Sequence, residues 1–368
     1  MMAEPKRIVI AAGGTAGHVV PALAVADALR AEGAQVSFIG GDRAEAQLVP
    51  AGGYELHRLR LEGLHRTNPL RALKALALAA LALPRAWSLL GRLGPDAVMG
   101  GGGYVAGPVG VAALARRIPL VLTEADSHLG LTNRALAPFA RRVCLAFALA
   151  GREGPRYLVS GRPVPAATRD RARARERFGI EPEQTCVLVF GGSLGARSIN
   201  EAALDAFADV PYRVLHVAGV RDYPELCMRM RGRTQTGAPD EGGRSGYDLR
   251  EYLEPEAFAQ ALAAADLVVA RSGGSVFEIA AHGLPAILIP YPHASADHQS
   301  ANARWMADAG AAVIIADGEL SAAGLRAHVD ELLGDRERLA RMGEASRSLA
   351  RTDAAGVVAR ELLEVAAR

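Results

Sequence analysis

The chain has 368 residues, a net charge of +2, half of its residues hydrophobic and only 5% aromatic. That length suits about two domains of ordinary size with cores built mainly of Ala, Leu and Val. A charge this close to neutral argues neither for nor against nucleic acid, and none is expected as a partner. Cys144, Cys186 and Cys227 are odd in number and far apart, which excludes a disulfide framework or a Cys/His metal set and makes a reducing cytoplasm the default.

The N-terminus runs straight into a strand at Arg7–Ala12 with no apolar leader. Gly13-Gly14-Thr15-Ala16-Gly17-His18 then forms a glycine-rich turn, and Pro21–Arg30 reads as a helix with its proline in the first turn, where a missing N–H costs little. A second strand at Gln35–Gly40 completes a βαβ unit, the start of a doubly wound domain. The glycine spacing is not the dinucleotide fingerprint, and Asp42 is poorly placed for a ribose. Pro69–Leu83 is an apolar helix expected to break at Pro84, shorter than the roughly 20 residues that span a bilayer. Arg58, Arg60, Arg66, Arg71, Lys74, Arg85 and Arg92 surround it, and Trp87 adds an amphipathic ring. Such a surface suits an anionic membrane interface, and it equally suits a helix packed on a sheet.

Asp96–Gly100 is a strand followed by Gly101, Gly102, Gly103 and Tyr104, a run of glycines that makes sense where a ligand approaches the main chain. The next strand, Pro119–Glu124, ends in Glu124, Asp126 and His128, and a helix starts near Leu131. Arg142–Ala146 and Arg156–Ser160 are further strands, and Gly161–Pro165 is the best linker. The pattern then restarts: a buried strand at Thr185–Phe190, the turn Gly191–Arg197 carrying Ser193, and a helix from Ser198. Tyr212–Ala218 and Tyr247–Leu253 read as strands, and residues 229–246 as a polar loop. Strand Leu267–Ala270 leads into Arg271-Ser272-Gly273-Gly274-Ser275 and a helix holding Glu278. That opening aims N–H groups and the positive helix end at a phosphate, or is a plain β–loop–α turn with a capping serine. A strand at Pro285–Pro292 and a polar loop to Gln299 and Asn302 follow, and the tail from Leu320 reads as helical with one weak break at Thr352–Asp353.

Neither Ser193 nor Ser272 has the spacing of a nucleophile elbow, and no Walker sequence occurs. The ionisable groups left in the loops are His18, Glu124, Asp126 and Glu278. His18 suits a base that accepts a proton from a sugar hydroxyl, or a helix-start histidine bonded to the backbone.

Together, Gly13–His18 with Pro21–Ala26, Gly101–Pro108, Gly130–Arg134, Gly191–Arg197, Arg271–Gly274 with Glu278, and Asp297–Gln299 with Asn302 resemble the MurG family. These are the bacterial undecaprenyldiphospho-muramoylpentapeptide β-N-acetylglucosaminyltransferases of glycosyltransferase family 28. The likeness runs through the whole chain in order. It implies an α/β GT-B fold, two Rossmann-like parallel-sheet domains facing an inter-domain cleft. These would be residues 1–161 on the acceptor and membrane side, with helix 353–368 packing back on them, and residues 166–350 on the donor side. It implies an inverting transfer from UDP-N-acetylglucosamine to the muramoyl 4-hydroxyl of lipid I, without cofactor or metal. The setting implied is the cytoplasmic face of the cell membrane, on anionic phospholipid, among other cell-wall synthesis and division proteins.

Carried over by position, the resemblance implies catalytic roles for His18 and Glu124, His18 as the base or as a diphosphate contact. Thr15, Ala16 and Gly17 would border the donor sugar. Asp126, Ser193, Leu253, Ser272, Gly273, Gly274, Ser275, Glu278 and Gln299 would also serve the donor, with Ser193 on the phosphates, Leu253 by the uracil, Glu278 on the ribose and Gln299 on the N-acetylglucosamine. Gly14, Gly101, Gly102, Gly103 and Tyr104 would meet the acceptor. Three departures stand out. Glu124-Ala125-Asp126 has a carboxylate where the family has an amide. Gly161-Arg162-Pro163-Val164-Pro165 has Arg162 for an asparagine and lacks the final arginine. The loop between Gly274 and Glu278 is one residue short. A glycosyltransferase for another lipid such as diacylglycerol, and a silent nucleotide-sugar-binding scaffold, stay open on the sequence.

Overall fold

The computed structural model describes residues 4–61, 69–234, 246–294 and 297–367, and within 69–76 only Lys74 has a described side chain. Arg66, Arg71 and Leu73 of the basic-rimmed stretch therefore lie outside the described side chains. The chain divides into two compact units, residues 1–166 with 351–368 and residues 167–350.

In unit 1 the strands are β1 (Arg7–Ala11), β2 (Gln35–Gly40), β3 (Glu55–Arg58), β4 (Ala97–Gly100), β5 (Leu120–Glu124), β6 (Arg142–Leu145) and β7 (Tyr157–Val159). They form one parallel sheet in the order β3-β2-β1-β4-β5-β6-β7. Near-continuous apolar runs such as Arg7–Ala11 fit this arrangement, because helices cover both faces. On one face pack α1 (Ala16–Ala31), α2 (Glu45–Ala51) and the C-terminal α14 (Ala354–Ala366), over a core with Ile8, Val25, Phe38, Val358 and Leu362. On the other pack α3 (Pro69–Leu93), α4 (Ala106–Ala115) and α5 (Leu131–Leu136), over Val9, Leu90, Val109 and Leu122.

Unit 2 repeats the plan with β8 (Cys186–Phe190), β9 (Arg213–Val217), β10 (Tyr247–Arg250), β11 (Leu267–Ala270), β12 (Ala286–Leu288) and β13 (Ala312–Ile314). The order is β10-β9-β8-β11-β12-β13, all parallel. Its helices are α6 (Arg171–Arg177), α7 (Arg197–Ala206), α8 (Tyr223–Thr234), α9 (Pro255–Ala264), α10 (Val276–His282), α11 (His298–Asp308), α12 (Ala322–Gly334) and α13 (Arg336–Leu349).

Several expectations change. Helix α1 starts at Ala16, so Pro21 lies in its second turn. Helix α3 does not break at Pro84 but runs on to Leu93. Pro84 and Ala80, whose carbonyl loses its partner, are both exposed, so water can take that bond. Strands β3 and β13 are short, half-exposed edge strands added to those expected. The strand at 285–292 keeps only Ala286–Leu288, since Pro290 and Pro292 cannot donate to a ladder. Residues 229–234 are helical, the end of α8. The tail has a second break at Asp335, whose carboxylate accepts from Arg338 N and caps α13.

In each sheet the strand order reverses once, between β1 and β4 and between β8 and β11. Ligands of open α/β sheets bind beyond the carboxyl ends of strands at such switch points. The four glycine loops read from the sequence follow these four strands.

Candidate functional site

At the switch point of unit 1 the loops after β1 and β4 touch. Gly103 has φ +76°, and a Cβ there would strike the Gly13 carbonyl, so only glycine fits. Thr15 stands at the N-cap of α1 without a side-chain cap bond, and Ala16, Gly17 and His18 form the first turn. His18 Nδ1 is 3.4 Å from Thr15 Oγ1, and a Cβ on Gly102 would come within 2.7 Å of His18 Cδ2, so the ring lies against bare main chain. A small pocket is lined by Gly17, His18, Pro21, Gly101, Glu124 and Gly161, among others. Burial lowers the His18 pKa below the ordinary imidazole value; Asp126 opposes that shift, Arg162 adds to it and Glu45 opposes it.

Glu124 is buried, and its carboxylate accepts from Gly130 N at 2.8 Å, Asn133 Nδ2 at 2.9 Å and Asp126 N at 3.2 Å. Burial raises its pKa, against the pull of those three donors. Both oxygens are thus occupied in holding the turn at 124–133. Asp126 stands at that turn, close enough to His18 for its charge to act on the ring. Tyr104 donates to Glu45 Oε1 at 2.8 Å, and Glu45 also accepts from Gly14 N at 2.8 Å and Gly41 N at 2.9 Å. Glu45 has no exposed surface. Burial alone would raise its pKa, but these donors outweigh it and hold the carboxyl below its usual range. Sequence reasoning missed Glu45; its faint signal is an acid four residues beyond Gly41.

The switch point of unit 2 carries Gly191–Ala196 and residues 271–275. Ser193 is exposed in the first loop. Helices α7 and α10 begin without a side-chain cap, and Ser275 stands at the N-cap of α10 without capping it. The first N–H groups of α7 have no intrahelical partner and suit an anion, whereas at α10 Val276 N and Phe277 N already donate to Gly273 O at 3.3 Å and Gly274 O at 3.2 Å. Ser272 is fully buried and its hydroxyl donates to Gln299 O at 2.8 Å, which leaves Gly273, Gly274 and Ser275 as the accessible part. Glu278 is half-buried in the first turn of α10. Gln299 Oε1 accepts from Tyr291 N at 2.9 Å, which turns its NH2 group toward Gly273. Leu253 is half-buried in the turn between β10 and α9.

Behind these loops lie fixed polar groups. His216 joins Tyr247 OH at 2.7 Å to Asn200 Oδ1 at 3.0 Å, and Asn200 Nδ2 donates to Ala218 O at 2.9 Å. Burial drives the His216 pKa down to about 3, so the ring is neutral. Arg271 donates to Ile289 O and Ser198 Oγ and pairs with Asp317 at 2.5 Å. Among the described residues no three His, Cys, Asp or Glu side chains are grouped to hold a metal ion.

Away from the sheet edges, unit 1 exposes Leu81 and Trp87 on α3, Val111 on α4, Leu131 on α5 and Phe139 just beyond it. Arg85, Arg92, Arg117, Arg134 and Arg141 are exposed on the same elements or next to them, and Arg116 lies over the Trp87 ring at 4.8 Å. No described helix is long and apolar enough to cross a membrane.

Comparison with known proteins places this geometry. Residues 8–145 match the glycosyltransferase family 28 N-terminal domain and residues 186–358 the family 28 C-terminal domain. A Moorella thermoacetica protein named UDP-N-acetylglucosamine–N-acetylmuramyl-(pentapeptide) pyrophosphoryl-undecaprenol N-acetylglucosamine transferase is 41% identical over 97% of this chain and 98% of its own. A Halorhodospira halophila protein of the same name is 42% identical over 98% and 99%. The crystal structure of Acinetobacter baumannii MurG is similar with a TM-score of 0.75 at 29% identity, covering 98% of this chain and 100% of that one. A Neisseria meningitidis UDP-GlcNAc 2-epimerase shares the fold alone, at 12% identity and a TM-score of 0.69 over 97% of this chain and 100% of its own.

Proposed function

The chain belongs to glycosyltransferase family 28, and from that premise we infer its reaction. It transfers N-acetylglucosamine from UDP-N-acetylglucosamine to N-acetylmuramyl-(pentapeptide) pyrophosphoryl-undecaprenol, lipid I, in peptidoglycan synthesis. The observation that carries the chemistry is the His18 imidazole, kept below its ordinary pKa at the carboxyl edge of the unit 1 sheet.

In our reading the muramoyl 4-hydroxyl attacks the anomeric carbon. The new O–C bond forms as the bond from that carbon to the diphosphate breaks, its electron pair leaving with UDP, and the configuration inverts. His18 keeps the Nδ1 proton toward Thr15 Oγ1 and accepts the hydroxyl proton on Nε2. Glu124 holds the adjoining turn, and the loop at Gly101–Gly103 with Tyr104 and Gly14 faces the acceptor. On unit 2 the donor diphosphate sits against the N–H groups at the start of α7 and the glycine loop before α10, beside Ser193, Gly273, Gly274 and Ser275. Glu278 accepts from the ribose hydroxyls, Leu253 lies by the uracil, and the Gln299 NH2 donates to the sugar. No metal ion takes part in this reading, because the main-chain dipoles meet the charge on the leaving diphosphate.

The exposed apolar side chains on α3, α4 and α5 with their arginines support a peripheral contact with anionic lipid on the cytoplasmic face, where the acceptor headgroup lies. UDP release from UDP-N-acetylglucosamine with a lipid I analogue tests the reaction. Release only with UDP-glucose and diacylglycerol would transfer the assignment to another lipid acceptor. UDP binding without turnover on either acceptor would leave a binding scaffold.

A further inference from the structure

Pro21 lies inside α1 and has no N–H to give. In an α-helix that N–H would bond to the carbonyl four residues back, which is Gly17 O, next to His18. The vacated acceptor is taken by a side chain 145 positions away: Arg162 Nη2 donates to Gly17 O at 2.6 Å. The other arm of the same guanidinium, Nη1, donates to Ala125 O at 3.1 Å, next to Asp126. Arg162 is only 7% exposed. The charged groups around the imidazole come from three other elements. Arg162 arrives from the segment leaving the sheet, Asp126 from the turn after β5, and Glu45 from α2. Glu124 and Cys144 line the same pocket; burial pushes the Cys144 thiol up to about 12, so it carries no charge.

We propose that Arg162 is a positioning residue for the transfer: one buried guanidinium clamps the turn that carries His18 to the turn that carries Asp126, and its fixed positive charge balances Asp126 at the imidazole. The inference rests on His18 acting as the base, and deepens that reading. A planar fork with two donating arms suits two carbonyls on separate loops, a geometry that the single nitrogen of a lysine does not reproduce. Its charge adds to burial in holding the ring below its ordinary pKa and able to accept, although a carboxylate lies close by.

The test follows the His18 ring by NMR across pH in the full chain, its signal assigned by its loss in His18→Gln, alongside kcat/KM for UDP release. Arg162→Met and Arg162→Gln both remove the charge, and Gln keeps one donating arm, so a folding failure in Met leaves Gln to report. Arg162→Lys keeps the charge and loses the fork. The His18 midpoint is expected to rise in Met and Gln, to stay near the parent value in Lys, and to fall in Asp126→Asn. The acid limb of kcat/KM should move with it, while Lys lowers kcat without moving the limb. An unchanged His18 midpoint in folded Arg162→Gln, or the same midpoint in Gln and Lys, overturns the inference. A midpoint that moves while the kcat/KM limb stays put would retire His18 as the base and leave the role of Arg162 in its charge standing.

Discussion

His18 shows how one side chain is made by its surroundings. Its ring rests on bare glycine main chain at Gly102, and burial outweighs the neighbouring carboxylates to keep it unprotonated. His18→Ala is expected to lower turnover by about 10²-fold or more in the UDP-release assay, the usual loss for an acid–base group. Glu45 works by holding others. Removing its carboxylate strands Gly14 N–H, Gly41 N–H and Tyr104 O–H. Glu45→Ala should therefore cost unit 1 at least about 2 kcal/mol, read by urea unfolding, because buried donors without partners are penalised. His216 gives the pH dependence. Its pKa falls from 6.5 to about 3 on folding, so its contribution is complete above pH 6.5 and is lost as pH drops toward 3. Stability should decline by up to about 1.4 kcal/mol per pH unit in that window, and His216→Gln should flatten the decline. An equal slope in both proteins would show that the ring titrates freely.

Among the elements, α3 departs furthest from its local code. A proline inside an apolar run signals a stop, yet Pro84 and Ala80 face solvent and the helix continues. The same layer exposes Leu81 and Phe139, which unit 1 does not need for its core. Leu81→Glu and Phe139→Glu are each expected to weaken binding to anionic vesicles while leaving UDP affinity unchanged, and rising salt should weaken binding of the parent. Sedimentation with vesicles measures it; retention equal to the parent would make these side chains ordinary surface. At the sheet margins, β3 was illegible because its half-exposed residues carry no apolar run, whereas β13 lies in an apolar run, Ala311–Ala316, too short for periodicity to tell strand from helix.

Across the whole molecule, unit 1 is not continuous in sequence, whereas unit 2 is one segment. Helix α14 belongs to unit 1, where Val358 and Leu362 enter the core beside Ile8 and Phe38, and Glu361 bonds Arg142 at 2.6 Å. Leu362→Ala is expected to destabilise unit 1 by about 2–5 kcal/mol, as for other buried leucines, with little effect on unit 2. Calorimetry with and without UDP distinguishes them, since UDP should raise the transition of the unit that binds it. A loss confined to the UDP-sensitive transition would contradict the assignment of α14.

The doubly wound fold and its repetition were legible because buried parallel strands are apolar runs and glycine loops at their ends are local strings, both visible without knowing any contact. The family motifs named His18, Glu124, Ser193, Glu278 and Gln299 for the same reason. Only the tertiary structure decided that Arg162 fills the acceptor left by Pro21, that Glu45 joins three loops, and that both oxygens of Glu124 are already engaged. These bonds join residues as far as 145 positions apart, and no local pattern encodes a partner that distant. A glycine loop is written in consecutive letters; the charge balance around the imidazole exists only once separate strands have brought their ends to one edge of a sheet.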